Sequence, residues 1–287
     1  MHEHTGAQVP SRAARGVARA LGGFNATAFA ALTLVLLDPP VAVVAAWPWP
    51  ELPMSFVFLA SIAASIAAVW ATIAWRAEVT AVAGIGLNTL VAGGGAALYL
   101  GLQLHATGRG ALAAMAGVAT ATALFGAVLW GWARRAPAVD PRPLPALVRH
   151  AFVAFSLTLV VAGGALAAQR QVFPWPLQPG TATLFGCIFL GAAAYFGHAA
   201  AARRWAAAEP LLWGFLAYDL VLFVPYGRLL AEGHIVTDGF YGSSAPVNVT
   251  SLAIYLTVLG ASALLALYTM LIAPATRCWG RAAPPAA

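Results

Sequence analysis

Two short stretches share one frame, Pro48-Trp49-Pro50-x-x-Pro53 and Pro174-Trp175-Pro176-x-x-Pro179. Each lies between two long apolar runs, and the offset is 126 residues in a chain of 287. A spacing close to half the chain predicts a duplicated unit. Ser55 and Thr181 stand at the same offset, just past the last proline of each copy. A hydroxyl there is a good helix N-cap, because it accepts an orphan backbone N–H. In lipid an unpaired N–H costs several kcal/mol, so both residues are expected to cap helices near a membrane boundary.

Composition sets the class. Hydrophobic residues make up 61% of the chain and charged ones 8%, against about 25% charged in soluble domains. Apolar runs recur at roughly 20–37, 55–75, 79–102, 111–133, 150–168, 181–202, 210–231 and 250–273, each long enough to span a bilayer. The expected fold is therefore all-α, a polytopic membrane protein of eight transmembrane helices arranged as two parallel four-helix repeats. The units are a tail over 1–19, repeat one over 20–136, a linker over 137–147, repeat two over 148–273 and a tail over 274–287. The first run follows Arg12, Arg15 and Arg19 without a convincing cleavage site, and reads as an uncleaved helix.

All fifteen basic residues are arginine. Twelve fall on one side of the spans and only Arg109, Arg170 and Arg228 on the other. That asymmetry predicts both termini in the cytoplasm and discounts nucleic acid as a partner. The Ala, Gly and Arg bias without lysine suits a GC-rich bacterial genome, and so an inner (cytoplasmic) membrane. Cys187 and Cys278 fall at different depths, so no disulfide framework is expected.

The duplication extends further. Arg76-Ala-Glu78 corresponds to Arg203-Arg-Trp-Ala-Ala-Ala-Glu209, and ten residues past each glutamate lie Asn88 and Asp219. Four spans per copy is an even number, which implies a pseudo-twofold axis along the membrane normal. The second copy, Phe173-Pro-Trp-Pro-Leu-Gln-Pro-Gly-Thr-Ala-Thr183, resembles a Trp/Phe-Pro-Trp-x-Leu-Thr-Pro-Leu-Thr-Ala-Arg loop of bacterial multi-pass membrane proteins without assigned function. It matches at Phe173, Pro174, Trp175, Leu177, Pro179, Thr181 and Ala182, and departs at Gln178, Gly180 and Thr183. The resemblance implies a multi-pass fold and no activity.

Asp219 is the sharpest candidate for chemistry. It lies near the middle of its span, where an acid costs about 2.5–3.5 kcal/mol to insert. Two readings follow: a polar site with Asn88 at the repeat interface for a proton, cation or polar head group, or interhelical glue. Tyr218 is its neighbour, and Phe223 and Tyr226 are expected on its face. Pro225 frees the carbonyl of Val221. Arg228, nearer the outer surface, either leads inward to Asp219 or pairs with Glu232. His198 reads as a ligand-site or a structural histidine. His105 and His234, with Glu232 and Asp238 near, are weak metal candidates without a ligand motif, and no cofactor is expected. Trp47, Trp49, Trp175 and Tyr241 suit an interfacial belt. Val41–Trp47 is too short to span. Glycines over 84–95 and at 163–164 predict close helix contact.

The leading functional expectation is a small-molecule, ion or lipid transporter or binder with its polar site at Asp219 and Asn88. A non-catalytic subunit of a membrane complex comes second and a membrane-embedded enzyme third. The expected partners are the lipid bilayer, a small-molecule or lipid ligand, and a homo-oligomer or membrane complex.

Overall fold

The computed structural model describes residues 10–232, 235–237 and 244–277. Among them are eight helices long and apolar enough to cross a membrane, as a multi-pass membrane protein requires. In chain order the helices are α1 (Arg12–Leu37), the short α2 (Val41–Ala46), α3 (Pro53–Arg76), α4 (Val79–Thr107) and α5 (Ala111–Ala133). They continue with α6 (Ala146–Ala167), α7 (Pro179–Ala202), α8 (Trp205–Glu232) and α9 (Val249–Leu267), the last prolonged by a π turn to Ile272. A small antiparallel ladder between α8 and α9 pairs Ile235–Thr237 with Ser244–Pro246.

The two proline frames start helices, but not through the expected caps. Pro53 and Pro179 are the first residues of α3 and α7, and neither start has a side-chain cap. Proline suits that position, since its missing N–H is one of the orphans and its φ is already helical. Ser55 and Thr181 therefore sit inside the first turn, and their hydroxyls are free for other partners. At the N-terminus the helix begins earlier than hydropathy indicates. The Ser11 hydroxyl accepts from the Ala14 N–H at 3.1 Å, so Arg12, Arg15 and Arg19 ride on α1 instead of in a tail. Arginine and alanine are strong helix formers, a preference that a hydropathy window does not register. For the same reason α8 begins at Trp205, and it runs through Pro210 and Pro225.

Sequence neighbours pack as four hairpins, α1 with α3, α4 with α5, α6 with α7, and α8 with α9. Across the middle, α3 packs on α8 and α4 on α7. Lipid tails are as apolar as leucine, so close approach and hydrogen bonds hold such helices together, not expulsion of water. Three hairpins use glycine for this. A β-carbon on Gly22, Gly86, Gly126, Gly163 or Gly186 would come within 3.0 Å of backbone atoms of the facing helix. The α8–α9 hairpin has no such seam; Gly227 and Gly260 face open space. Its contact is also the least extensive of the four.

The two ends of the bundle differ in chemistry. At the arginine-rich end, Arg76 pairs with Glu209 at 2.5 Å. Glu78 caps α4 through the Thr80 N–H and accepts from the Val139 and Asp140 N–H groups. The Leu144 N–H donates to the Arg203 carbonyl, binding the connector between α5 and α6 to the α7–α8 corner. The opposite end carries both Pro-Trp loops.

Candidate functional site

The Pro-Trp loops lock into each other. The indole N–H of Trp47 donates to the Thr181 hydroxyl, and that of Trp175 donates to the Ser55 hydroxyl, both at 3.1 Å. Each loop thus reaches the helix start that belongs to the other copy of the frame. Trp175 is fully buried. It is not a belt residue, because its N–H has found an interior acceptor and no longer needs the interface. Trp47 and Trp49 remain half-buried.

Between the loops lies Glu51, only 6% exposed. Its carboxylate accepts from the Ser55 hydroxyl at 2.9 Å and from the Gln178 N–H at 3.0 Å, and the Thr181 hydroxyl faces it too. No cation pairs with it among the described residues. Burial raises its pKa above the ordinary glutamate value, and the three hydrogen bonds only partly oppose that shift.

Asp219 lies deeper, on α8, and is 3% exposed. Both carboxylate oxygens are within reach of the Ser262 hydroxyl of α9, at 3.0 and 2.9 Å. Ser262 is also 2.9 Å from the Leu259 carbonyl of its own helix. A hydroxyl has one proton to give and two lone pairs to offer. If Asp219 is ionised, Ser262 donates to it. If Asp219 is protonated, it donates to Ser262, whose own proton turns to Leu259. The pair is satisfied in both states.

A wall of aromatic side chains joins the two acids. Trp175 meets Tyr226 edge-on at 5.5 Å between ring centroids, and Tyr226 meets Tyr255 at the same distance. The hydroxyls of Tyr255 and Tyr218 are hydrogen-bonded to each other, and Tyr218 adjoins Asp219 in sequence. Among the described residues, the buried Tyr226 hydroxyl has no hydrogen-bond partner.

Of the candidates read from the chain, Asp219, Tyr218 and Tyr226 come together. Asn88 does not join them. It sits half-buried on α4 against Gly191 of α7, with no hydrogen bond to Asp219. The cause is depth: α4 begins at Val79 and α8 at Trp205, so Asn88 is the tenth residue of its helix and Asp219 the fifteenth, about 7.5 Å further along the axis. Phe223 leaves the predicted face too, being 51% exposed, while Leu222 takes its place in the interior. Arg228 is exposed, and His198 is half-buried on α7 with no hydrogen bond among the described residues. His105 is exposed at the end of α4. His234, Asp238, Tyr241 and the side chain of Glu232 lie outside the described residues. Among those described, no three His, Cys, Asp or Glu residues cluster. Glu51, Ser262 and Tyr255 are the members that sequence reasoning missed; an acid set between prolines and far from any arginine was the available signal for Glu51.

Comparison with family models, curated proteins and solved structures finds no match to this chain. Function must be read from the site itself.

Glu51 makes a testable pH dependence. An acid whose folded pKa is raised is better tolerated protonated, so the folded state loses stability as pH climbs from the unfolded value of 4.5 through the folded one. Above that it levels off. Glu51→Gln removes the titration. The thermal midpoint of the wild type minus that of Glu51→Gln, measured in one detergent, should fall over that window and then stay flat.

Proposed function

We propose that this protein is a transporter or binder of a small molecule, ion or lipid, with a protonatable polar site at Asp219 in the α8–α9 seam. The observation that carries the reading is the Asp219–Ser262 pair, which stays hydrogen-bonded with or without the carboxyl proton. Ionisable residues inside a membrane segment commonly mark ion paths or proton relays. A single hydroxyl leaves most of the carboxylate's acceptor capacity unused, room for a proton, a cation or a polar head group. The seam itself favours access: it has no glycine contact and α9 buries only Leu252, Leu259, Ser262 and Ala266.

We further propose that the chain is two parallel four-helix repeats with both termini in the cytoplasm of a bacterial cell. Exchanging the halves turns the α3–α8 contact into the α7–α4 contact. Both are present. The left-handed residues that end α3 and α7, Ala77 and Arg203, match in the same way. The arginine asymmetry supports the orientation.

Asp219→Asn, which keeps size and hydrogen bonding, separates the functional reading from glue. Native mass spectrometry of detergent-released protein should find a small molecule or ion retained by the wild type and lost from Asp219→Asn, with the thermal midpoint nearly unchanged. Ser262→Ala should lower stability by about 1 kcal/mol, since interhelical hydrogen bonds in membranes average about 0.6 and reach about 1.7. If Asp219→Asn shifts only the midpoint, and the bound species is the same, Asp219 is packing.

A further inference from the structure

An apolar groove of about 350 Å³ runs along the flank away from α9. Its floor is α4, where Ala92, Ala96 and Leu100 repeat every four residues over about 12 Å. Val118 of α5 and Ile188 of α7 stand on either side, and Trp47 forms the lip at the Pro-Trp end. Two alanines and Leu100 make the floor, and the groove opens to the surroundings between α5 and α7.

The lip is tied to a cation. Arg109, in the α4–α5 turn, donates from Nη2 to the Pro48 carbonyl at 3.1 Å, which fixes the guanidinium one residue from Trp47. Arg109 is exposed, and the other N–H groups of its guanidinium bond to nothing in the described residues. Beside the loop, Trp49 packs against Tyr99 with ring centroids 6.4 Å apart. An apolar slot at membrane depth with a held, unneutralised guanidinium at its mouth has the polarity of an anionic lipid.

We propose that this groove is a binding site for one acyl chain of an anionic phospholipid, whose phosphate is met by Arg109. The chain lies along this floor and displaces no buried polar group. The guanidinium offers two parallel N–H donors to phosphate oxygens. The site is separate from Asp219 and stands whether or not that acid binds anything.

The test is native mass spectrometry of the full chain in mild detergent, titrated with phosphatidylglycerol or phosphatidylcholine of identical acyl chains. The wild type should retain one phosphatidylglycerol about fivefold more strongly, the worth of a single basic side chain at an anionic surface. Arg109→Gln should bring the two lipids level. Ala96→Phe should weaken both roughly tenfold, as if two methylenes lost their burial. Because Ala96 is partly buried, Ala114→Trp on the exposed rim provides a second block that leaves the fold alone. Asp219→Asn should leave the lipid adduct intact. Equal binding of both lipids by the wild type overturns the proposal, as does an unchanged adduct in a folded groove-filled variant.

Discussion

Gly126→Leu should leave little or no folded protein. A β-carbon at Gly126 would stand 2.4 Å from the Leu90 amide nitrogen and 2.7 Å from the Gly86 carbonyl oxygen. Both are backbone atoms within a regular helix, so no rotamer change relieves the collision. The α4–α5 hairpin must open along its length, and α4 also carries the contact with α7. Overpacking in a core costs about 1–3 kcal/mol when side chains can adjust; here they cannot, and more than about 3 kcal/mol is expected. Gly117→Leu is the control. It lies on the same helix with nothing within 4 Å, and surface changes of that kind stay within about 0.5 kcal/mol. Yield of monodisperse protein and the thermal midpoint should separate the two variants sharply.

Trp175→Ala should be the most damaging single truncation in the Pro-Trp loops. The side chain is fully buried, packs against Phe173 at 5.2 Å and Tyr226 at 5.5 Å, and its N–H holds Ser55. Removing a buried tryptophan side chain costs about 3–5 kcal/mol. Trp175→Phe keeps much of the packing and forfeits the hydrogen bond, so about 1 kcal/mol is expected. Trp47→Phe should cost less, because Trp47 is only half-buried. A series ranked in that order by thermal unfolding would show that the two loops are an interlock. Equal, small effects would return them to surface decoration.

The eight spans were legible because span length is set by bilayer thickness, a signal that any long apolar run carries. The starts of α3 and α7 were legible to within two residues from Pro53 and Pro179, although through the proline rather than through Ser55 and Thr181. The early starts of α1 and α8 were not, since alanine-rich turns carrying Arg12, Arg15 and Arg19 or Glu209 are helical without reading as membrane-spanning. Asp219 could be placed at mid-span from its position alone. Its partner could not, because the match of Glu78 with Glu209 hid a five-residue difference in depth between Asn88 and Asp219, and which residue of α9 meets α8 depends on packing that no local pattern encodes. The repeat pointed to Asn88; the actual neighbour, Ser262, was an ordinary serine in an apolar run. Glu51 was hidden for a related reason. The second copy has Leu177 at that place, and an acid in a loop reads as solvated until the opposite loop closes over it.

The central claim is that Asp219 is a reachable, protonatable site and not a sealed contact. Labelling with a hydrophobic carbodiimide tests it most directly. The reagent enters from the bilayer and adds to a protonated carboxylic acid, leaving a stable acylurea that peptide mass spectrometry can locate. The account predicts an adduct on Asp219 in the folded protein in native membranes, absent from Asp219→Asn. An Asp219 that stays unlabelled while the protein is folded, and reacts only once it unfolds, would contradict it.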